Sequence, residues 1–121
     1  MKETILENLK QVHANILSSC ARCGRDPKEV TLIAVSKTKP LQALQAAYDC
    51  GERNFGENKV QEILQKAPML PDDLCFHMIG HLQRNKVRQL LPYVTMIHSV
   101  DSLRLASEIQ QEAERIGKVV D

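Results

Sequence analysis

Aromatic side chains are scarce in this chain, which has two tyrosines, two phenylalanines and no tryptophan among its 121 residues. Charge of one sign is lacking as well, since 16 basic and 15 acidic residues leave a net charge of +1. Proteins whose main partner is a nucleic acid usually carry clustered basic charge and aromatic rings on which bases stack. The composition therefore argues against a nucleic acid as the main partner.

Long apolar runs and an N-terminal targeting pattern are missing too. Glu3 and Glu7 lie within an amphipathic N-terminal pattern that is too acidic for a typical transit peptide. The cysteines do not have the pattern of a secreted disulfide framework, and thiols stay reduced in the cytosol. Their positions are Cys20, Cys23, Cys50 and Cys75. We therefore expect a cytoplasmic protein with no membrane segment and no structural disulfide.

An apolar segment followed by a lysine stands out in the sequence. Residues 31–35 have apolar side chains at both parities, which predicts a central strand that a parallel sheet buries on both faces. Pro40 suits the start of a helix, so Lys37 falls at the carboxyl end of the strand, where ligands of parallel α/β proteins bind. The Lys37 amine could form an imine there with a carbonyl cofactor, although a solvated lysine beyond a strand is the plainer interpretation.

Apolar runs and helical stripes alternate along the rest of the chain. Residues 1–24 form one amphipathic repeat, which predicts an N-terminal helix. Residues 30–121 contain four apolar runs, each followed by a helical stripe, and a fifth run that begins at Lys118. We expect a single domain over residues 1–121, with an α/β fold of successive βα units and right-handed crossovers.

The choice between an open doubly wound sheet and a closed barrel depends on a missing motif. No glycine-rich fingerprint follows the first predicted strand, so a dinucleotide-binding sheet lacks its usual signature. Four similar units suit half of a (β/α)8 TIM-type barrel, whereas a complete barrel needs about 250 residues. We therefore predict the N-terminal half of such a barrel, preceded by the N-terminal helix, in a chain that looks truncated.

Polar side chains converge in residues 76–86, at the end of a predicted strand and the start of a helix. His77 and His81 have the spacing of a zinc pair on a helix, but Gly80 breaks the run, and the pattern is that of a strand and its loop. The cysteine pair of the first helix lies too far from these histidines for a zinc finger. We predict no metal site.

Three stretches of the sequence carry a pattern known from one protein family. They are Ala34-Val-Ser-Lys37-Thr-Lys-Pro40, Gly51-Glu-Arg-Asn-Phe-Gly-Glu-Asn58-Lys-Val-Gln-Glu62 and Phe76-His-Met-Ile-Gly-His-Leu-Gln-Arg-Asn-Lys86. They resemble the pyridoxal phosphate homeostasis proteins, also known as proline synthetase co-transcribed homologues. The resemblance implies a barrel like the N-terminal domain of alanine racemase, of fold type III, in which Lys37 holds pyridoxal phosphate as an internal aldimine. It also implies that Asn58 and His81, and less directly Asn54 and His77, surround the cofactor.

The second half of this family has no counterpart in the sequence. In relatives that half supplies the last strands and the serine- and glycine-containing loops that grip the cofactor's phosphate. Backbone N–H groups and helix N-termini contribute much of the affinity for such a phosphate, so we expect this chain alone to bind weakly or not at all. The unpaired strand edges and exposed apolar face of a half-barrel further predict that the chain self-associates.

These expectations lead to one preferred function and two alternatives. The preferred function is a carrier in intracellular pyridoxal phosphate homeostasis, which holds the cofactor as a Schiff base on Lys37 without robust catalysis. The first alternative is a fold type III enzyme such as an amino acid racemase, although Tyr48 falls in a predicted helix and Tyr93 follows Pro92, which leaves no obvious second acid-base residue. The second alternative is a structural half without ligand chemistry.

Overall fold

Strands and helices alternate through the computed structural model, which describes residues 2–121. Its α-helices are α1 (Lys2–Cys23), α2 (Leu41–Asp49), α3 (Val60–Lys66), α4 (Val87–Leu90) and α5 (Leu103–Ile116). Its strands are β1 (Ala34–Val35), β2 (Asn54–Glu57), β3 (Cys75–Met78) and β4 (Val94–Ile97). The short α4 is extended by 3-10 turns at Arg84–Lys86 and Leu91–Tyr93.

The strands form one parallel four-stranded sheet in the order β1-β2-β3-β4. A helix connects each strand to the next, as the predicted βα units require. Of the predicted fifth strand, Asp121 pairs with β4: it accepts the Ile97 N–H at 2.8 Å and donates to the Thr95 carbonyl at 3.1 Å. This α/β fold is consistent with part of a TIM-type barrel.

The first strand lies at an edge of this sheet. It contains two residues and pairs with β2 alone, with Ala34 opposite Phe55. The side chain of Val35 leaves the residue 54% exposed, whereas burial on both faces would hide it. The prediction of a central strand was therefore wrong. Apolar residues at both odd and even positions show that both faces of a strand can be buried, but they do not show how many strands lie beside it.

One face of the sheet packs against the helices and forms the core. Phe55, Phe76, Met78 and Val94 project from the strands into a single apolar cluster, and each is at most 2% exposed. The helices contribute Leu44, Ile63, Val87, Leu90 and Leu105 to the same cluster. Since successive residues of a strand point to opposite faces, the neighbours of these core residues lie on the second face of the sheet.

The long helix α1 lies mostly at the surface. Ile5 and Leu9 pack against the core, and Cys20 is buried near the carboxyl end of the helix. The Lys2 ammonium pairs with the Asp49 carboxylate of α2 at 3.4 Å. Among residues 2–121, no helix has both the length and the apolar character needed to cross a bilayer.

Candidate functional site

The second face of the sheet carries polar side chains, and the carboxyl ends of the strands form one of its edges. We call it the open face and define it by Val35, Asn54, Gly56, His77, Ile79 and His98. Gly56 lies between the two neighbouring strands on this face, since a Cβ there would lie 3.0 Å from the Ile79 side chain. In parallel α/β proteins, ligands bind where such a face reaches the carboxyl ends of its strands.

Lys37 lies at the carboxyl end of β1, as the sequence predicts. Residues 36–39 form a β-turn that is closed by a hydrogen bond from the Lys39 N–H to the Ser36 carbonyl at 3.1 Å. Thr38, the third residue of the turn, has a φ of 63°, a left-handed conformation that β-branched residues rarely adopt. Lys37 is thus the second residue of a tight turn, and its side chain is exposed.

A buried polar cluster of Ser36, Glu57 and Lys66 adjoins this turn. The fully buried Glu57 carboxylate accepts hydrogen bonds from the Lys66 ammonium at 2.8 Å and from the Ser36 hydroxyl at 2.5 Å. Lys66 also donates to the Ser36 carbonyl at 3.0 Å. The cluster therefore ties the end of β1 to β2 and α3, and breaking its ion pair would leave a charge without a partner inside the protein.

Glu62 holds the next part of the turn. Its carboxylate accepts the Thr38 N–H at 2.9 Å and lies 3.5 Å from the Lys66 ammonium. Burial by itself raises the pKa of Glu62, but the hydrogen bond from Thr38 and the positive charge of Lys66 outweigh it, so the pKa lies below its ordinary value. Glu62 is therefore an ionised acceptor at neutral pH.

Asn54, His77 and His98 form a hydrogen-bonded chain across the open face. His77 Nε2 lies 2.9 Å from Asn54 Oδ1, and His77 Nδ1 lies 3.1 Å from His98 Nε2. Because the Asn54 oxygen can only accept, His77 carries its proton on Nε2 and accepts the His98 N–H at Nδ1. Burial, and then the neighbouring His98, lower the pKa of His77. His77 is therefore a neutral imidazole at neutral pH.

The residues that the family resemblance assigns to the cofactor are only partly in contact with one another. Asn54 and His77 are hydrogen-bonded, as described above. Asn58 follows β2 and is half-buried. His81 follows β3, is exposed, and lies 3.9 Å from the Asp101 carboxylate.

Several residues of this site had no role in the sequence predictions. The stretches that resemble the family contain three of them, Ser36, Glu57 and Glu62. Glu57 lies two residues after the buried phenylalanine of β2 and so on the same face of the strand, which is an unusual position for a charge. Lys66 lies four residues after Glu62, the spacing of a helical ion pair. These two signals, taken together, would have identified the buried cluster. His98 carried no comparable signal, because its neighbours are fixed only by the pairing of strands.

An apolar groove of about 460 Å³ lies beside the free edge of β1, between α1 and α2. Its lining includes Leu9, Val35, Leu44 and Phe55. Since β1 pairs with β2 on one side only, unpaired backbone groups lie next to this apolar surface. Such a combination favours contact with another polypeptide segment.

Comparison with known proteins shows relatives by sequence, although no family model matches the chain. The pyridoxal phosphate homeostasis protein of Escherichia coli K12 is 43% identical over 112 residues, which are 89% of this chain and 48% of that protein. The chain is related to the pyridoxal phosphate homeostasis proteins. The resemblance indicated by the three sequence stretches is thereby confirmed, and the chain spans about half the length of the curated relatives it matches.

Solved structures also share the fold. An unknown protein from Bifidobacterium adolescentis matches 98% of this chain and 53% of its own, with a TM-score of 0.86 and 32% identity. The structure of PipY from Synechococcus elongatus with PLP bound matches 87% of this chain and 50% of its own, with a TM-score of 0.71 and 42% identity. The described fold is therefore shared with one half of longer chains.

Proposed function

We propose that this chain binds pyridoxal phosphate, holds it as a Schiff base on Lys37, and contributes to intracellular homeostasis of the cofactor without robust catalysis. Formation of the Schiff base joins Lys37 Nζ to the aldehyde carbon and releases one molecule of water. The observation that carries the proposal is the position of Lys37, an exposed amine on a tight turn at the carboxyl end of a parallel strand. The structure of PipY with PLP bound, at 42% identity, supports the same cofactor here.

The described residues fit the aldehyde and the ring of pyridoxal phosphate better than its phosphate group. Lys37 offers an accessible primary amine, and Asn54 and His77 offer hydrogen-bonding groups on the open face. We propose that Asn58 and His81, which follow the same strands, complete the surroundings of the cofactor. The family resemblance implies that the loops that grip the phosphate lie in the half of the relatives that this chain does not match, so we expect weak binding.

We also propose that the chain forms one domain, the N-terminal half of a (β/α)8 barrel of fold type III, with α1 in front. Four parallel strands in sequential order, each followed by a helix, support this arrangement. The hydrogen bonds of Asp121 to β4 add the start of a further neighbour in the same direction. In such a barrel the open face would line the interior and the helices would form the outer layer.

The described tyrosines favour a carrier over a racemase. An acid-base residue has to reach the reacting atoms on the open face. The Tyr48 hydroxyl instead donates to Asp73, which precedes β3 and so lies at the amino ends of the strands. Tyr93 lies in the 3-10 turn that follows α4. We place the carrier in the cytoplasm, in agreement with four cysteines that are all free thiols among residues 2–121.

An absorbance titration with pyridoxal phosphate tests the proposal. The unaltered chain and Lys39→Arg should both give a saturable change in the absorbance of the cofactor, whereas Lys37→Arg should not. Lys39→Arg is the matched control, because Lys39 lies in the same turn and is also exposed. Equal changes in both variants would contradict the assignment of Lys37. Loss of the α-hydrogen from an added amino acid would instead support the enzyme.

A further inference from the structure

The turn that carries Lys37 has a backbone conformation that its own sequence does not favour. Thr38 adopts a φ of 63°, and this left-handed region disfavours a side chain that is branched at Cβ. Conformations of this kind persist where surrounding contacts impose them, and they cluster at functional sites. The contacts of residues 36–39 therefore identify what imposes this conformation.

Two side chains of α3, one helical turn apart, bind the backbone of this turn. Glu62 accepts the Thr38 N–H at 2.9 Å, and the Lys66 ammonium donates to the Ser36 carbonyl at 3.0 Å. These two groups flank Lys37 on its carboxyl and amino sides. The two side chains also lie 3.5 Å apart as an ion pair, so each restrains the other.

The buried Glu57 anchors this pair in the protein interior. It is fully buried, and its carboxylate binds the Lys66 ammonium at 2.8 Å and the Ser36 hydroxyl at 2.5 Å. An ammonium held by a buried carboxylate has little freedom to move, because leaving would strand both charges in a low-dielectric surrounding. The anchor therefore makes the contact between α3 and the turn rigid.

We propose that Glu62 and Lys66, with Glu57 as their anchor, are positioning residues that hold the Lys37 turn in the conformation in which the Lys37 amine reacts with an aldehyde cofactor. The role rests on the function proposed above. In the reaction Lys37 Nζ bonds to the aldehyde carbon, and the carbonyl oxygen leaves as water. The positioning residues do not touch the cofactor; they limit where the amine can lie, and a restrained amine reacts faster than a mobile one.

Glu62 gives the sharpest test, because it is partly exposed on α3 and its loss should leave the fold intact. Glu62→Ala removes the acceptor for the Thr38 N–H, whereas Glu62→Gln keeps an oxygen that can accept it. Glu112→Ala is the matched control: this side chain is 16% exposed, against 21% for Glu62, and it forms its own ion pair on α5. Each chain is mixed with pyridoxal phosphate, reduced with borohydride at successive times, and mapped by peptide mass spectrometry.

The measured quantity is the initial rate of labelling at Lys37 divided by that at Lys39 in the same sample. We expect Glu62→Ala to lower this ratio about fivefold, the effect of losing one hydrogen bond, and Glu62→Gln to keep it within about twofold. Glu112→Ala should leave the ratio unchanged. Without cofactor, amide hydrogen exchange of Thr38 should be about fivefold faster in Glu62→Ala.

Two results would overturn the positioning role. An unchanged labelling ratio in Glu62→Ala, with a circular dichroism spectrum like that of the unaltered chain, would mean that the turn does not need Glu62, while the proposed function would stand. A labelling ratio without preference for Lys37 in the unaltered chain would instead remove the proposed function, and the positioning role with it.

Discussion

The two faces of the sheet differ in chemistry, and β3 shows the difference within three residues. Phe76 and Met78 point to the helices and are at most 2% exposed, whereas His77, between them, joins the hydrogen-bonded chain of the open face. The core face is apolar, so its contribution to stability comes from removing surface from water. The open face carries the hydrogen-bonding side chains of Asn54, His77 and His98, which suit binding. Because side chains alternate along a strand, a residue that stabilises the core and a residue suited to binding can be direct neighbours.

One charged group breaks this division. Glu57 lies on the core face, where it is paired with Lys66 and bound by Ser36. Replacing such a pair with apolar residues is often neutral for stability, so its presence calls for another reason. Its position next to the Lys37 turn supplies one.

The largest effect concerns the size of the particle in solution. The free edge of β1 and the adjacent groove predict that the chain self-associates, so sedimentation should show a species at least twice the mass of one chain. Val35→Lys, which puts a charge on that edge, should restore the monomer. Leu103→Lys is the control, since Leu103 is 89% exposed and lies on α5. A monomeric, cooperatively unfolding unaltered chain would contradict this prediction.

Truncation on the core face should cost far more stability than truncation on the open face. Phe76→Ala removes a buried ring and should lower the free energy of unfolding by about 3–5 kcal/mol, measured by urea denaturation. His98→Ala removes an exposed side chain and should cost less than about 1 kcal/mol. Similar losses of unfolding free energy for the two variants would mean that the open face contributes as much to stability as the core face.

Gly80, which follows β3, and Gly56 of the open face should respond differently to an added methyl group. A Cβ at Gly80 would lie 2.7 Å from Asn58 Cα, so backbone has to move, and Gly80→Ala should cost about 1–3 kcal/mol. The atoms nearest to a Cβ at Gly56 would be side-chain carbons of Ile79 and Ile33, at 3.0 and 3.1 Å. Those side chains can shift, so Gly56→Ala should be milder in the same urea titration. The reverse order would contradict the close approach of Gly80 to Asn58.

The smallest effect is a pH dependence that arises from His77. Its pKa in the folded chain lies below the value of 6.5 for a free histidine, so the unfolded chain binds a proton more readily than the folded chain. The contribution of neutral His77 to the free energy of unfolding is fully present above about pH 6.5. It falls as the pH drops through about 6.5 towards the pKa of the folded chain. The urea midpoint should therefore decrease from about pH 7.5 to about pH 5.5, and less so in His77→Gln.

A control separates His77 from the other histidines. His81→Gln replaces an exposed histidine that follows β3, and it should keep the pH dependence of the unaltered chain. A midpoint that rises as the pH falls, or an equal slope in His77→Gln, would mean that the buried imidazole is not destabilised in its charged form.

Much of the architecture could be predicted because it depends on local patterns. Apolar runs located the strands to within a few residues, and Pro40 correctly indicated the start of α2, which placed Lys37 at the end of β1. The position of β1 at an edge could not be obtained in this way. It depends on which strands are neighbours, and no periodicity within residues 31–35 contains that information.

The contacts of the site were beyond sequence reasoning for the same reason. Val35 pairs with Gly56 in the sheet, and only this register puts Ser36 beside Glu57. A shift of the register by one residue would turn Glu57 towards the other face. The hydrogen bond between His77 and His98 likewise depends on the pairing of β3 with β4.

Locating the amine that reacts with pyridoxal phosphate tests the proposed function most directly. The chain is mixed with an equimolar amount of the cofactor and reduced with borohydride, and every lysine is then examined by peptide mass spectrometry, with Lys37→Arg measured in parallel. We expect one dominant adduct, on Lys37, that disappears in Lys37→Arg without moving to Lys39. Labelling spread evenly over the exposed lysines, and unchanged in Lys37→Arg, would contradict it.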